Sequence, residues 1–292
     1  MKGIPKVESP FFDMEWFAQE SEEIRNAAYS LNKNGFAVID FPEPDFDEIA
    51  ASIIKGLEPH FNLNEWRKEK GLDLRVHDAW KSNSKVKAIA ANEKILSLLH
   101  KLYGRKAIPF QTLNFPVGTQ QQFHSDSVHF SSVPERFMCG VWVALENTDE
   151  NNGPLEYFPA SHKLPIFNNQ QIGCPHANQE TPYEYYDKYV ELWKTLVNRL
   201  NLKREVFHAQ KGQAIIWASN LLHGGMAHLD KERTRHSQVT HYFFEDCAYY
   251  TPLTNEPFLN EMKYRKIMNI ATGKTSYQSI NGQPVPKKLM AM

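Results

Sequence analysis

The spacing of apolar positions changes near Gly104, and this change predicts two kinds of structure. Before Gly104, apolar residues recur every three or four positions, which is typical of amphipathic helices. A short apolar run at 36–40 predicts one early strand, and residues 59–83 are polar and irregular. The predicted helices cover 13–33, ending at Gly35, then Asp45 to about Lys55, and finally a long helix capped by Ser84 that runs to Gly104.

After Gly104 the apolar segments are short, aromatic and β-branched, and Gly, Pro, Asn or Asp separates them. Segments of this length and composition are typical of strands. The predicted strands are 108–115, 121–124, 137–145, 155–158, 205–209, 214–218 and 238–245. An even series of short strands favours a closed barrel or a double-sheet jelly roll. A long insert at 160–203 interrupts the strands and contains a predicted helix at 182–200, and it is a candidate lid. The polar tail from Gly273 is either a loosely packed arm or a segment that covers the mouth of a site.

We therefore expect a mainly β protein with flanking helices, folded as one domain over residues 1–292. Its parts would be N-terminal helices at about 13–104, a jelly-roll core at about 105–247, and a C-terminal extension at about 248–292.

Composition narrows the function classes. The net charge is −1 and the chain has no long basic block, so neither nucleic acid nor a membrane surface is indicated as a partner. Three scattered cysteines favour a reducing compartment over a disulfide framework. The first residues lack the apolar run of a signal peptide, and we expect a cytoplasmic protein that acts on a small molecule.

Candidate chemistry lies in the tripeptide His124-Ser125-Asp126. In an extended strand, residues two apart point the same way, so an imidazole and a carboxylate would lie side by side. A second histidine from a distant strand would complete a 2-His-1-carboxylate triad, which leaves iron positions open for ligands. His223, after an apolar strand and before two glycines, is the candidate. The alternatives are a hydrogen-bonded strand-end histidine at 124 and a turn residue at 223.

Four segments in order carry a resemblance to a known family: QQFHSDSVHF, GVWVALENTDENNGPLEYFPASHK, GQAIIWASNLLHGG and RTRHSQVTHYFFE. This set resembles the phytanoyl-CoA hydroxylase-like family of iron(II)/2-oxoglutarate oxygenases. The resemblance covers roughly residues 30–246 and implies a double-stranded β-helix, or cupin-like, core. It implies that His124, Asp126 and His223 bind Fe(II), and that 2-oxoglutarate and O2 are cosubstrates.

The resemblance also implies which residues bind 2-oxoglutarate. Arg235, twelve positions after His223, would hold the C5 carboxylate together with Ser237, and Arg233 is the alternative. Gln111 and Trp142 would line the same cosubstrate, although Trp142 is equally consistent with an ordinary core residue.

The implied activity is hydroxylation of an unactivated C–H bond of a small metabolite, with release of succinate and CO2. Asp126 argues against halogenation, because halogenating relatives have a small residue at that position. The alternatives are desaturation, a metal-dependent isomerase or non-oxidative dioxygenase, and a cupin-like binding protein without turnover. The substrate itself is not indicated. Candidate substrate-binding residues are Arg75, His77, Trp80, Gln122 and His129, while other histidines, including His241, are interpreted as structural.

Overall fold

The computed structural model describes residues 2–68, 74–174, 183–257 and 262–290. The α-helices of these ranges are α1 (Glu22–Asn34), α2 (Phe46–Leu57), α3 (Leu63–Lys68), α4 (Ser84–Ala90), α5 (Glu93–Tyr103) and α6 (Tyr186–Arg199). Short 3-10 helices lie at Lys6–Glu8, Met14–Phe17, Glu58–His60, Ala79–Lys81, Asp126–Val128, Ser161–Lys163, Pro252–Thr254 and Lys287–Leu289. The predicted N-terminal helices are therefore present, with changed boundaries.

Two boundaries differ for a clear reason. The predicted first helix is split, because the Ser21 hydroxyl accepts a hydrogen bond from the Ile24 amide and restarts the chain as α1. The predicted long helix after Ser84 is also two helices, since Asn83 and Asn92 each cap a new start. Gly35 ends α1 with φ +86°, a left-handed conformation that glycine adopts without strain.

The strands are β1 (Phe36–Asp40), β2 (Val76–His77), β3 (Ala107–Phe115), β4 (Ser131–Val133), β5 (Met138–Ala144), β6 (Leu155–Tyr157), β7 (Glu205–Phe207), β8 (Gln213–Ala218), β9 (His223–Gly225), β10 (Ser237–Phe244), β11 (Ala248–Tyr250), β12 (Met268–Asn269), β13 (Lys274–Thr275), β14 (Ser279–Ile280) and β15 (Gln283–Pro284). The larger sheet is antiparallel with the order β1-β8-β5-β10-β3-β2, and a smaller sheet has the order β7-β6-β9. The protein is mainly β with flanking helices, as predicted, and its two antiparallel sheets are consistent with the predicted jelly-roll core.

The central strands of the larger sheet are buried on both faces, and alternate residues serve different cores. Val141 and Ile216 join the core formed with the N-terminal helices. Trp142 and Trp217, each one residue further along, point to the opposite face, where they pack in the core shared with the smaller sheet. This period of two places the indoles on the same side as the candidate ligands.

The insert and the tail both have structure of their own. Helix α6 packs through Tyr189 and Trp193 in a third core. Residues 175–182 lie outside the described residues, and they include residue 182, the first position of the predicted 182–200 helix. The tail forms two small hairpins, β12–β13 and β14–β15, instead of a loose arm. Among the described residues, no helix is long and apolar enough to cross a membrane.

Candidate metal centre

Three side chains predicted to form a triad meet at one point. One ligand atom each from His124, Asp126 and His223 can be chosen so that all lie within 4.8 Å of one another. Nε2 of His124 is 3.7 Å from Oδ1 of Asp126, and Nε2 of His223 is 3.8 Å from Oδ2. All three residues are buried. The arrangement supplies two imidazole nitrogen donors and one carboxylate oxygen donor on one side of a small space.

The backbone brings the two histidines together directly. The His124 amide donates to the His223 carbonyl at 2.8 Å, and the His223 amide donates back at 3.0 Å. A Cβ at Gly224 would lie 2.8 Å from the Gln121 carbonyl oxygen, so only glycine permits this approach. His223 is therefore a strand residue of β9, and the two glycines after it allow the close pairing.

The predicted strand at 121–124 is corrected by the structure. Only His124 of this stretch makes a β-bridge, and Asp126 begins a 3-10 helix. Ser125 between them is nevertheless extended, with φ −109° and ψ 131°. Since one extended residue is enough to place its two neighbours on the same side, the predicted pairing of imidazole and carboxylate occurs without a strand.

Hydrogen bonds to the backbone determine which ring nitrogens are available. Nδ1 of His124 lies 3.0 Å from the Gln122 carbonyl oxygen, and Nδ1 of His223 lies 3.0 Å from the Leu221 carbonyl oxygen. Carbonyl oxygens only accept, so each Nδ1 carries the proton and each Nε2 presents a lone pair. Burial also lowers the pKa of His124 to about 3, which keeps this ring neutral at pH 7.

The carboxylate has two neighbours that sequence reasoning did not assign to the site. The Trp217 indole donates from Nε1 to Oδ2 of Asp126 at 2.8 Å, and Nε2 of His241 lies 3.6 Å from the same oxygen. Burial opposes ionisation, but the nearby histidines, His223 first, hold the pKa of Asp126 below its usual range. The interpretation of His241 as merely structural is corrected, because its ring lines the cavity beside Asp126.

Gly140 explains how the indole reaches the carboxylate. It is the cross-strand partner of both Trp217 and His241. A Cβ built on Gly140 would lie 2.3 Å from two ring atoms of Trp217. Any side chain at this position would displace the indole, so the glycine creates the space in which Trp217 turns towards Asp126.

The two candidate arginines have different surroundings. Arg235 is buried, and its Nη1 donates to the Ser237 hydroxyl at 2.8 Å. Its Nε and Nη2 have no hydrogen-bond partner among the described residues, and burial lowers its pKa to about 10, so it remains charged at pH 7. Arg233 lies nearer the surface, and its Nη1 is 2.8 Å from a carboxylate oxygen of Asp149. Of these two arginines, only Arg235 lines the cavity.

A cavity of about 480 Å³ extends from the three candidate ligands, a size typical of small-molecule sites. The predicted residues that line it are Gln111, Trp142, Arg75, His77 and His129. Trp80 and Gln122 do not, which corrects those two assignments. The Trp80 indole donates to Asp78, and its ring packs against the core formed with the N-terminal helices. Gln122 is exposed, because residues 121–124 do not alternate between two faces as a strand would. Gln121 lines the cavity instead, 3.4 Å from Nε2 of His124.

Several residues of the cavity come from segments with no recognisable motif. Tyr183 and Tyr186 belong to the insert predicted as a lid, and Arg265 belongs to the C-terminal extension. His129 packs between these tyrosines and the metal centre, with ring centroids 5.3 Å from Tyr186 and 6.4 Å from His124. The insert therefore forms one wall of the cavity, a position that only its aromatic content could have suggested.

Comparisons with known proteins give one family match and several solved structures with a similar fold. Residues 10–237 match the sequence model of the phytanoyl-CoA dioxygenase family. No curated protein sequence matches at a significant level. Solved structures with the same fold include SnoN, a non-heme alpha-ketoglutarate-dependent epimerase from nogalamycin biosynthesis, at 17% identity and TM-score 0.59, covering 91% of this chain and 97% of that one. EctD from S. alaskensis, solved with 2-oxoglutarate and 5-hydroxyectoine, has 18% identity and TM-score 0.59, with 85% and 84% covered. The carbocyclase SnoK, also from nogalamycin biosynthesis, has 14% identity and TM-score 0.58, with 84% and 92% covered.

Proposed function

The chain belongs to the phytanoyl-CoA dioxygenase family, and from this premise we propose that it is an Fe(II)- and 2-oxoglutarate-dependent dioxygenase. The proposed reaction is hydroxylation of an unactivated C–H bond in a small-molecule metabolite, with 2-oxoglutarate and O2 consumed and succinate and CO2 released. One observation carries this proposal: a buried His–Asp–His cluster shares a cavity with a buried arginine whose outer face is unpaired.

The donor set fits Fe(II). Two imidazole nitrogens and one carboxylate are the 2-His-1-carboxylate set of non-heme iron oxygenases, and three positions of a six-coordinate metal stay open. His124 and His223 present Nε2 because their Nδ1 protons are held by the backbone. We propose that Asp126 supplies the third ligand, with Trp217 and His241 setting the orientation of its carboxylate.

The cavity also fits the second carboxylate of 2-oxoglutarate. Nε and Nη2 of Arg235 form the side of the guanidinium that binds a carboxylate through two parallel hydrogen bonds. A buried cation without a partner is energetically unfavourable, so an anion bound here would neutralise the charge of Arg235 and stabilise the site. Ser237 holds Nη1 and thereby sets the plane of the group, and Trp142 covers it, with its ring centroid 5.4 Å from Cζ.

Iron with 2-oxoglutarate, when bound, supplies the oxidising chemistry, in which O2 is activated as 2-oxoglutarate loses CO2. The residues of this chain would bind and orient the metal and 2-oxoglutarate. They would also exclude water from the cavity. Leu113, Phe115, Leu155 and Val239 line the same cavity as Arg235 and make part of its wall apolar, which strengthens the attraction of the guanidinium for a carboxylate. No protein general base is needed for this reaction.

Asp126 also bears on the product. A carboxylate at this position occupies the place that a halide would need beside the metal, so we expect an oxygenated product even in abundant chloride. A chlorinated compound as the main product of the unmodified protein would contradict both this outcome and the assignment of Asp126 as a ligand.

The metal assignment is tested by anaerobic titration of the protein with Fe(II) and 2-oxoglutarate, followed through the weak visible charge-transfer band of such complexes. We expect the band in the unmodified protein and its loss in His124→Ala and in His223→Ala. His208→Ala is the matched control, because His208 is exposed and is not one of the residues that line the cavity. An unchanged band in both ligand variants would refute the assignment.

The reaction is tested with a panel of metabolites. Succinate formation above the level without substrate identifies a substrate, and mass spectrometry of the product identifies the outcome. Hydroxylation adds one oxygen atom, whereas desaturation removes two hydrogen atoms. Isomerisation without a mass change would contradict the proposed hydroxylation, while an intact charge-transfer band without turnover on any compound would support the binding-protein alternative.

A further inference from the structure

Arg265 is a cation of the cavity that the proposed chemistry does not use. It lines the same 480 Å³ space as the three candidate ligands, although it lies far along the chain in the C-terminal extension. Asp126 is the carboxylate of that lining, and it would face the metal. Arg235 would be neutralised by 2-oxoglutarate. Arg265 has no carboxylate within ion-pair distance in the described part of the chain, so its charge stays uncompensated when metal and cosubstrate are bound.

The hydrogen bonds of Arg265 use only one of its three nitrogens. Nη1 donates to the His129 carbonyl oxygen at 3.1 Å and to the Thr251 hydroxyl at 3.0 Å. Nε and Nη2 donate to none of the described residues, and together they form the side of the guanidinium that suits a carboxylate or a phosphate. Arg235 has the same pattern, with Nη1 engaged and Nε and Nη2 unpaired.

The position of Arg265 is well supported. Its amide donates to the Tyr249 carbonyl at 2.6 Å, and its own carbonyl accepts from Nε2 of Gln278 at 2.5 Å. The guanidinium lies over the Phe130 ring, with Cζ 4.9 Å from the centroid. An aromatic face and two backbone anchors hold the side chain where the extension meets the cavity, which limits the entropy lost when an anion binds.

Aromatic rings surround the space next to this charge. His129, Tyr183 and Tyr186 form a cluster with centroids 5.3 to 6.1 Å apart, and Phe130 completes the wall. We propose that Arg265 binds a carboxylate or phosphate group of the organic substrate, while this aromatic wall contacts the adjoining apolar or planar part. This inference rests on the proposed function, because it takes Asp126 to bind the metal, Arg235 to bind 2-oxoglutarate, and the anion at Arg265 to be the substrate.

The test uses benzoate, phenyl phosphate and neutral benzamide as probes, because they share one ring and differ in the group offered to Arg265. The protein is loaded anaerobically with Fe(II) and saturating 2-oxoglutarate, so that Arg235 does not compete for the probe. Dissociation constants are measured by ligand-observed NMR. We expect one or both anions to bind at least about tenfold more tightly than benzamide, and the stronger of the two identifies carboxylate or phosphate as the preferred group.

Variants assign this preference to a single side chain. Arg265→Gln should reduce anion binding to the level of benzamide, and Arg265→Lys should retain only part of the preference, because an ammonium lacks the paired donors. Lys266→Gln removes the same charge from the next residue, which is exposed, and should change nothing. Equal binding of anions and benzamide to the unmodified protein, or an unchanged preference in Arg265→Gln, would overturn the inference.

Two readouts separate this inference from the proposed function. The charge-transfer band reports metal and 2-oxoglutarate binding, and its absence from the unmodified protein would count against the function alone. If the band is present but the protein binds anions no more tightly than benzamide, only the proposed role of Arg265 is contradicted. If Arg265→Gln itself lost the band through misfolding, Arg265→Lys would decide, because the positive charge that supports the segment is retained.

Discussion

Replacing Trp217 with phenylalanine tests whether the indole sets the orientation of the Asp126 carboxylate, the proposed metal ligand. The change removes one N–H that donates to Oδ2 of Asp126 at 2.8 Å, and it keeps an aromatic ring against His223, whose centroid is 4.6 Å away. The side chain shrinks above Gly140, so some loss of stability is expected as well. The informative quantity is therefore the affinity for metal, measured on protein that is still folded.

The expected magnitude follows from this single bond. A hydrogen bond to a charged group contributes about 1.5–3 kcal/mol, and loss of a group that orients a metal ligand typically lowers metal affinity roughly 10- to 100-fold. His241, 3.6 Å from the same oxygen, remains in Trp217→Phe and moderates the loss. We therefore expect a weakening of about 10- to 100-fold in the dissociation constant for Fe(II), nearer the lower figure if His241 takes over the contact.

The assay is anaerobic competition for Fe(II) against a chromophoric chelator, without 2-oxoglutarate. Trp142→Phe is the matched control, because the indole nitrogen of Trp142 has no hydrogen-bond partner among the described residues. Its metal affinity should equal that of the unmodified protein. An affinity for Trp217→Phe within about threefold of the unmodified value, or an equal loss in Trp142→Phe, would refute the reasoning, given that the bond is worth on the order of a kilocalorie or more.

Two further predictions concern charges at other positions. Arg235→Gln should weaken 2-oxoglutarate binding by on the order of 2–5 kcal/mol, measured by titration of the charge-transfer band, whereas Arg233→Gln should have little effect because that side chain pairs near the surface. Burial raises the pKa of Glu8 to about 7 despite its contact with Arg136, so folding favours the protonated carboxyl. The free energy of unfolding should therefore fall as pH rises from about 4.5 to 7, by about 3 kcal/mol for this group, and stay level above pH 7. Urea unfolding at pH 5 and pH 8 should show Glu8→Gln gaining stability relative to the unmodified protein at the higher pH.

Each of these two predictions has an outcome that would contradict it. A larger loss of 2-oxoglutarate binding in Arg233→Gln than in Arg235→Gln would exchange the assignments of the two arginines. A stability difference between Glu8→Gln and the unmodified protein that is equal at pH 5 and pH 8 would show that the Glu8 carboxyl is ionised in the folded state at both values.

Much of the fold was predictable because its signals are local. The strand at 36–40 and the periodic helices were recognisable from the spacing of apolar residues alone. The three-residue strands β4 and β11 were not predicted, because runs this short carry too little periodicity. Strand β9 was missed for a different reason, since its two glycines resemble a turn until the close approach of 121–124 is known.

The candidate ligands were predictable from residue type and spacing, but their supporting residues were not. Nothing adjacent to Trp217 or His241 in sequence marks either as a neighbour of Asp126. Their position depends on the register that pairs both of them with Gly140 across β5. The position of Arg265 in the cavity depends on the path of the C-terminal extension, and no sequence motif predicts that path. Side chains assembled by long-range register are therefore the part of a site that local patterns miss.

The choice between Arg233 and Arg235 illustrates the same limit on a smaller scale. Both positions have the same parity relative to Ser237, so simple alternation would place both arginines on one face. The ladder, however, continues only one step beyond β10, where the Arg235 amide donates to the Pro116 carbonyl at 2.8 Å. The Arg233 amide instead donates back to the Asp230 carbonyl within a turn, and alternation stops there. Because Arg235 is the last residue held in register with the sheet, its side chain is directed between the two sheets, while that of Arg233 reaches the surface.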